Sequence, residues 1–402
     1  MVIQTSKNRI RLFHITSSVF IGAYLFVTVA FFLSQLVEAS REPLTGDQQY
    51  AFEASIRPQE YLSMLVLGAR GQASAAPLDY IVCKVLDDIK DDVSYFGLHP
   101  KVYFRLFANG ATTFCAVLIL FLFGKEIARQ QENLALAVAQ WVLLLCVPLT
   151  SFFAIQVYKF AHLMRPYALW TSLYFLALAV SIRQTKRNRL LLIILILLAF
   201  TATGSVFQLS AMVLAYLVVA AIQKDKLKDV ILNGTKLFGL PFAVVLYYCF
   251  QVGKFGYDPP LWMDFYKYWS HHLLIIPLMV GASVACFLNK SDRPSAMAPL
   301  SLLFVYLLGP IIFMLTRSRG LFYADRYYMY YELCRAIFLL TIVKCLPDFI
   351  NKVKSQRVVV VVLLLTCFVG SSFALRPKIL RRFQKSIAEA GWVIAGNLQT
   401  VS

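Results

Sequence analysis

Apolar runs of membrane-crossing length recur along the whole chain, and between most of them lie short clusters of Lys and Arg. A stretch of about 20 apolar residues is long enough to cross a hydrocarbon core as a helix, and only helices or closed barrels satisfy their backbone groups there. The first run, Ile15 to Val37, exceeds the core of a signal peptide and has no convincing small-residue cleavage pattern, so it reads as a spanning helix. Composition agrees: 59% of the 402 residues are hydrophobic, 15% are charged, and mean hydropathy is +0.67. The expected fold class is therefore all-α: a polytopic membrane protein, one membrane domain over 1–375 followed by a short basic tail over 376–402.

The net charge of +18 is not a nucleic-acid signature, because the basic residues fall at the ends of apolar runs, as topology signals do. Lys7, Arg9 and Arg11 place the N-terminus in the cytoplasm and the following loop outside. Alternation from there gives eleven passes. The run from Leu190 to Ile222 must be two of them, joined by a tight hairpin around Thr203 to Gln208, if Lys224, Lys226 and Lys228 are to stay inside. The eleventh, about Val358 to Leu375, exits outward into a basic tail that positive-inside reasoning would put in the cytoplasm. Cysteines show neither a disulfide framework nor a metal spacing.

The outer loop over 38–106 holds ten acids against seven bases, about half of the chain's carboxylates. Within it, Leu78, Ile81, Val82, Val85, Leu86, Ile89 and Val93 recur at helical spacing, which predicts an amphipathic helix lying in the interface with its apolar side on the membrane. Asp47 follows Thr45 and Gly46 where a turn would hand over to a helix, so it reads either as a cap or as a general base at the bilayer surface.

Ionisable groups gather on the same outward face: Asp47, Glu53 and Asp79 in the loop, Lys159, His162 and Arg165 before the fourth pass, and Arg317, Arg319 and Arg326 before the tenth. Arginine forks suit a lipid phosphate, although each basic residue alone is more often an interface anchor. Glu332 and Arg335, at i and i+3, read as an intramembrane ion pair. Nucleotide-binding glycine loops, zinc-protease motifs and serine elbows are absent, which argues against energy coupling to a nucleotide in this chain.

Several stretches together carry a family resemblance: Gly46-Asp47-Gln48-Gln49-Tyr50 after the first helix, Ala76-Pro77-Leu78-Asp79-Tyr80-Ile81-Val82, Val102-Tyr103-Phe104-Arg105-Leu106-Phe107-Ala108-Asn109-Gly110 into the second, and Phe123-Gly124-Lys125-Glu126-Ile127-Ala128 at its end. With Met164-Arg165-Pro166-Tyr167 and Asp325-Arg326-Tyr327-Tyr328, this order resembles the GT-C membrane glycosyltransferases, in particular the protein O-mannosyltransferase and aminoarabinose-transferase-like branch. The resemblance implies an inverting transferase in the cell inner membrane, active on its outer face. It would take sugar from a polyprenyl-phosphate donor to an envelope lipid, glycan or protein acceptor. It also implies Asp47 as the catalytic carboxylate and Arg326 as a phosphate ligand, with Arg165 and Arg317 helping, and with Glu53 and Asp79 as further acids at the substrate. The chain departs from the family at Gln48, where Glu is frequent, and at Ala75-Ala76-Pro77, which replaces His-Pro-Pro; a bound divalent metal is thereby left open. The family's long C-terminal outer domain is not expected, since about 27 residues follow the last apolar run. Two other readings stand beside this one: an O-antigen-type polymerase, and a flippase or transporter of lipid-linked sugars, for which internal repeats and midplane charges would be expected.

Overall fold

The computed structural model describes residues 2–41, 46–70, 72, 76–89, 100–129, 133–152, 155–161, 166–183, 189–252, 261–317, 325–352 and 381–389. The described residues are helical, with no strand among them. Five single helices are long and apolar enough to cross a membrane: α1 (Val2–Arg41, apolar from Ile10), α5 (Pro100–Ile127, apolar from Asn109), α6 (Leu134–Phe152), α10 (Ser205–Gln223) and α11 (Leu227–Gln251). Two more candidates are helix pairs bent by 48°: α12 (Trp262–Ser270) with α13 (Ile275–Phe287), and a 3₁₀ turn plus α14 (Met297–Leu307) with α15 (Gly309–Arg317). The architecture is thus that of a membrane-embedded helical protein with five to seven such spans.

The remaining expected passes divide in two. Helices α8 (Tyr167–Arg183) and α9 (Arg189–Thr201) are apolar but only 17 and 13 residues long, and α16 (Cys334–Lys352) carries Arg335, Lys344 and Asp348 along its length. The run 358–375 lies outside the described residues. The break expected in the run 190–222 falls at Ala202–Gly204, just ahead of the predicted turn, and Ser205, Val206 and Phe207 close it with i→i+3 bonds.

Helix α8 is the centre of the bundle. Its residues from Tyr167 to Ile182 are all buried, and it packs on α5, α9, α14 and α16. A helix that is apolar on every side needs protein or lipid all round, and here protein supplies it. Several polar groups inside the bundle bond in pairs or to carbonyls: Thr112 with Ser172 (2.9 Å), Tyr174 with Ser301 (2.9 Å), and the Gln140 amide N–H to the Val343 carbonyl (2.8 Å). The turn between α10 and α11 places Lys224 at φ 59°, where Asp225 N–H bonds the Ala220 carbonyl and ends α10.

Candidate functional site

Outer loop 1 folds as a small subdomain with a core of its own. Helix α2 (Gly46–Ala51) widens into a π-helical turn over Phe52–Ile56. Helices α3 (Tyr61–Leu67) and α4 (Leu78–Asp88) then pack Met64, Tyr80 and Cys83 against Phe52 and Ile56. Side-chain amides fix the connection between α3 and α4. Gln59 donates to the Gly68 carbonyl (2.7 Å) and accepts from Arg70 N–H (3.1 Å), and Gly68 itself takes a φ of 74° that favours glycine. Lys84 Nζ reaches the Ile56 and Arg57 carbonyls, the orphan acceptors at the end of the π turn (3.3 and 3.4 Å).

The amphipathic helix forms where the periodicity predicts it. In helix α4, Asp79, Tyr80 and Cys83 are buried, Leu78 packs on the bundle, Ile81 and Leu86 pack half-buried on the loop core, and Val85 and Ile89 are exposed. Val93 lies outside the described residues.

The sequence-predicted acids fall at different depths in this subdomain. Asp47 lies in the first turn of α2, one position inside the expected cap. Glu53 is exposed, one turn further on, and accepts a hydrogen bond from Gln49 (3.0 Å). Asp79 is buried at the start of α4, so it faces protein rather than the surface. Burial, with the nearby Asp79 charge, holds the Cys83 thiol well above its ordinary pKa. Tyr61 donates to Asp88, which pushes its own pKa up to about 12.

The basic candidates lie on other elements. Arg326 sits on a 3₁₀ helix, Asp325–Leu333, that packs on α7 (Ile155–Phe160) and on α8. Those two helices flank Arg165, which lies outside the described residues together with His162 and Arg319. Arg317 ends α15. Aromatic contacts seat the 3₁₀ helix. Tyr330 meets Trp170 and Tyr174 edge-on (centroids 5.6 and 5.8 Å), and Tyr331 meets Tyr306, which stacks on Trp269 at 5.0 Å. Trp269 and Tyr306 also exchange side chain to carbonyl hydrogen bonds (3.1 and 3.0 Å). A Cβ on Gly309 would come within 2.7 Å of the Tyr331 hydroxyl, so only glycine admits this approach. Glu332, expected beside Arg335, also faces His272, whose Nε2 lies 3.7 Å away.

Two charged clusters escaped the sequence reading. At the loop end of α1, buried Glu38 accepts from Arg382 and Ser386 of the helix α17 over 381–389, and Arg41 pairs with Glu389. The basic tail helix therefore docks on the same face as loop 1. At the opposite end of the bundle, Glu126 accepts from Arg183 (2.6 Å) and Lys344 (3.0 Å), Lys344 reaches Asp292 (3.7 Å), and Asn289 bridges Asp292 and Asp348. Burial raises the Asp292 carboxyl above the usual carboxylate range, against the pull of Lys344.

Among the described residues, no three His, Cys, Asp or Glu side chains come together as a metal site. The seven described cysteines are free thiols, Cys286 and Cys345 lying 3.8 Å apart. Taken together, these features define a membrane-embedded helical protein that carries an acidic subdomain and an arginine-bearing 3₁₀ segment. No protein-family model matches the chain, and no curated protein or solved structure is significantly similar to it.

Proposed function

We propose that the chain is an inverting glycosyltransferase of the GT-C kind, crossing the cell inner membrane eleven times and acting on its outer face. The observation that carries this reading is the folded loop subdomain. It gives the chain a rigid extramembrane platform at the ends of its helices, with Asp47 in the first turn of its first helix and Glu53 on its surface. Such a platform suits an acceptor hydroxyl presented at headgroup depth. Arg326, on the Asp325–Leu333 segment that packs on α7 and α8, is the proposed phosphate ligand, helped by Arg165 or Arg317.

In this mechanism Asp47 takes the proton from the acceptor hydroxyl as its oxygen attacks the anomeric carbon. The bond to the polyprenyl phosphate breaks, and the arginines stabilise the charge that builds on the departing phosphate. Each guanidinium offers a planar fork that matches phosphate oxygens, which a lysine ammonium does not. The donor is a polyprenyl-phosphate sugar, and the acceptor is an envelope lipid, glycan or protein.

Mass spectrometry of envelope lipids and glycans from cells with and without the gene tests the proposal. Loss of one sugar-bearing species, restored by the wild-type gene, is the expected result. An unchanged glycan profile would remove the transferase reading.

A further inference from the structure

Helix α3 presents Leu62, Leu65 and Val66 at i, i+3 and i+4, a single face, and all three are exposed, Leu62 by 70%. On the opposite side of the helix Met64 is buried in the subdomain core. Above it, α4 holds the polar partners, with Tyr61 bonded to Asp88, Arg57 paired to Asp87 (3.6 Å) and Lys84 over the Tyr61 ring (5.3 Å). The helix is also tied to the bundle. Tyr248 donates to the Leu65 carbonyl and Tyr247 to the Val66 carbonyl (2.6 Å).

Those two tyrosines stand on the last turns of α11, a helix long and apolar enough to cross a membrane. The bonds place α3 level with the end of that span, where tyrosines belong at the boundary between lipid and water. Leu246 and Phe250, beside them on α11, are exposed as well, Phe250 by 86%. An apolar face at that depth has the geometry of an interfacial helix.

We infer that α3 is a lipid-binding foot: its Leu62, Leu65, Val66 face inserts among the acyl chains of the leaflet on the loop side and holds the loop-1 subdomain at headgroup depth. The partner is the phospholipid bilayer itself. The inference needs only the membrane-embedded fold and is independent of the transfer chemistry proposed above.

The test uses the full chain in nanodiscs of palmitoyl-oleoyl phosphatidylethanolamine and phosphatidylglycerol, with p-benzoylphenylalanine introduced at Leu62 or, as control, at Lys84. Leu62 lies outside the subdomain core, the Lys84 substitution gives up the bonds to the Ile56 and Arg57 carbonyls, and thermal unfolding checks that each protein folds. After irradiation, mass spectrometry is expected to find phospholipid adducts on the Leu62 variant at least about tenfold more often than on the Lys84 variant. Equal adduct yields at the two positions, no lipid adduct at Leu62, or a crosslink from Leu62 to a second copy of the chain would each overturn the inference. Because the readout is an adduct mass, a failed transfer assay leaves this result unaffected.

Discussion

Glu126 ties three helices at the end of the bundle opposite loop 1, and neutralising it tests that architecture. In Glu126→Gln the side chain keeps its shape, but Arg183 and Lys344 lose their shared carboxylate at 2.6 and 3.0 Å. All three side chains are 15–20% exposed, so water screens them only in part. Removing one member of a buried pair costs about 3–5 kcal/mol. Arg183 keeps the Leu122 carbonyl (2.9 Å) and Lys344 keeps Asp292 (3.7 Å), which places the expected loss near the lower end, about 3 kcal/mol. The assay is unfolding in detergent micelles for the wild type, Glu126→Gln, Arg183→Gln and the double variant. A coupling energy of about 1–3 kcal/mol between the two positions is expected from direct contact. Additive losses, or a Glu126→Gln cost below about 0.5 kcal/mol, would place these residues among ordinary surface charges and refute the argument.

Three other predictions concern the seat of the 3₁₀ segment, the charge cluster at the opposite end of the bundle, and the proposed phosphate ligand. Gly309→Ala drives a methyl into the Tyr331 hydroxyl and should cost about 1–3 kcal/mol, read as a lowered melting temperature; an unchanged value would show that the 3₁₀ segment yields freely. Asp292 has a folded pKa above its unfolded value, so its contribution to stability is full below the unfolded pKa and is lost as pH rises through the folded one. Asp292→Asn should therefore flatten the dependence of melting temperature on pH from about 4 upward without lowering stability at neutral pH, and a steeper dependence would contradict the assignment. Arg326→Lys keeps the charge but loses the fork. Sugar transfer should fall at least about tenfold with unfolding unchanged, and full activity would return Arg326 to an anchoring role.

The apolar runs made most helices legible, because about 20 consecutive apolar residues have few alternatives. The break inside 190–222 followed from charge alternation alone. What stayed illegible depended on which surfaces meet. Leu78, Ile81 and Val85 show that α4 is amphipathic, but not that Tyr80 and Cys83 enter a core with Phe52 and Ile56. Helix α3 hid in a seven-residue stretch, Tyr61–Leu67, too short for periodicity to mark a face. Arg183 and Lys344 read correctly as residues at helix ends, while their common partner Glu126 is 57 and 218 positions away. Glu38 and Arg382 are separated by 344 positions, and no local pattern joins them. Of the proposed site, Asp47 at a helix start and Arg326 just ahead of helix α16 were readable, and the 3₁₀ form of the Arg326 segment was not.

The central claim rests on Asp47 as the base. Asparagine is nearly isosteric and suits a helix start about as well as aspartate, so Asp47→Asn separates chemistry from structure. The measurement is sugar transfer from a polyprenyl-phosphate donor by the purified wild type and Asp47→Asn in nanodiscs, beside donor binding and thermal stability for both. The account predicts that binding and stability are retained while turnover falls by about 10²-fold to 10⁴-fold, since an amide does not take up the acceptor's proton at neutral pH. Equal turnover in the two proteins would contradict it, remove Asp47 from the mechanism, and make exposed Glu53 the next acid to test.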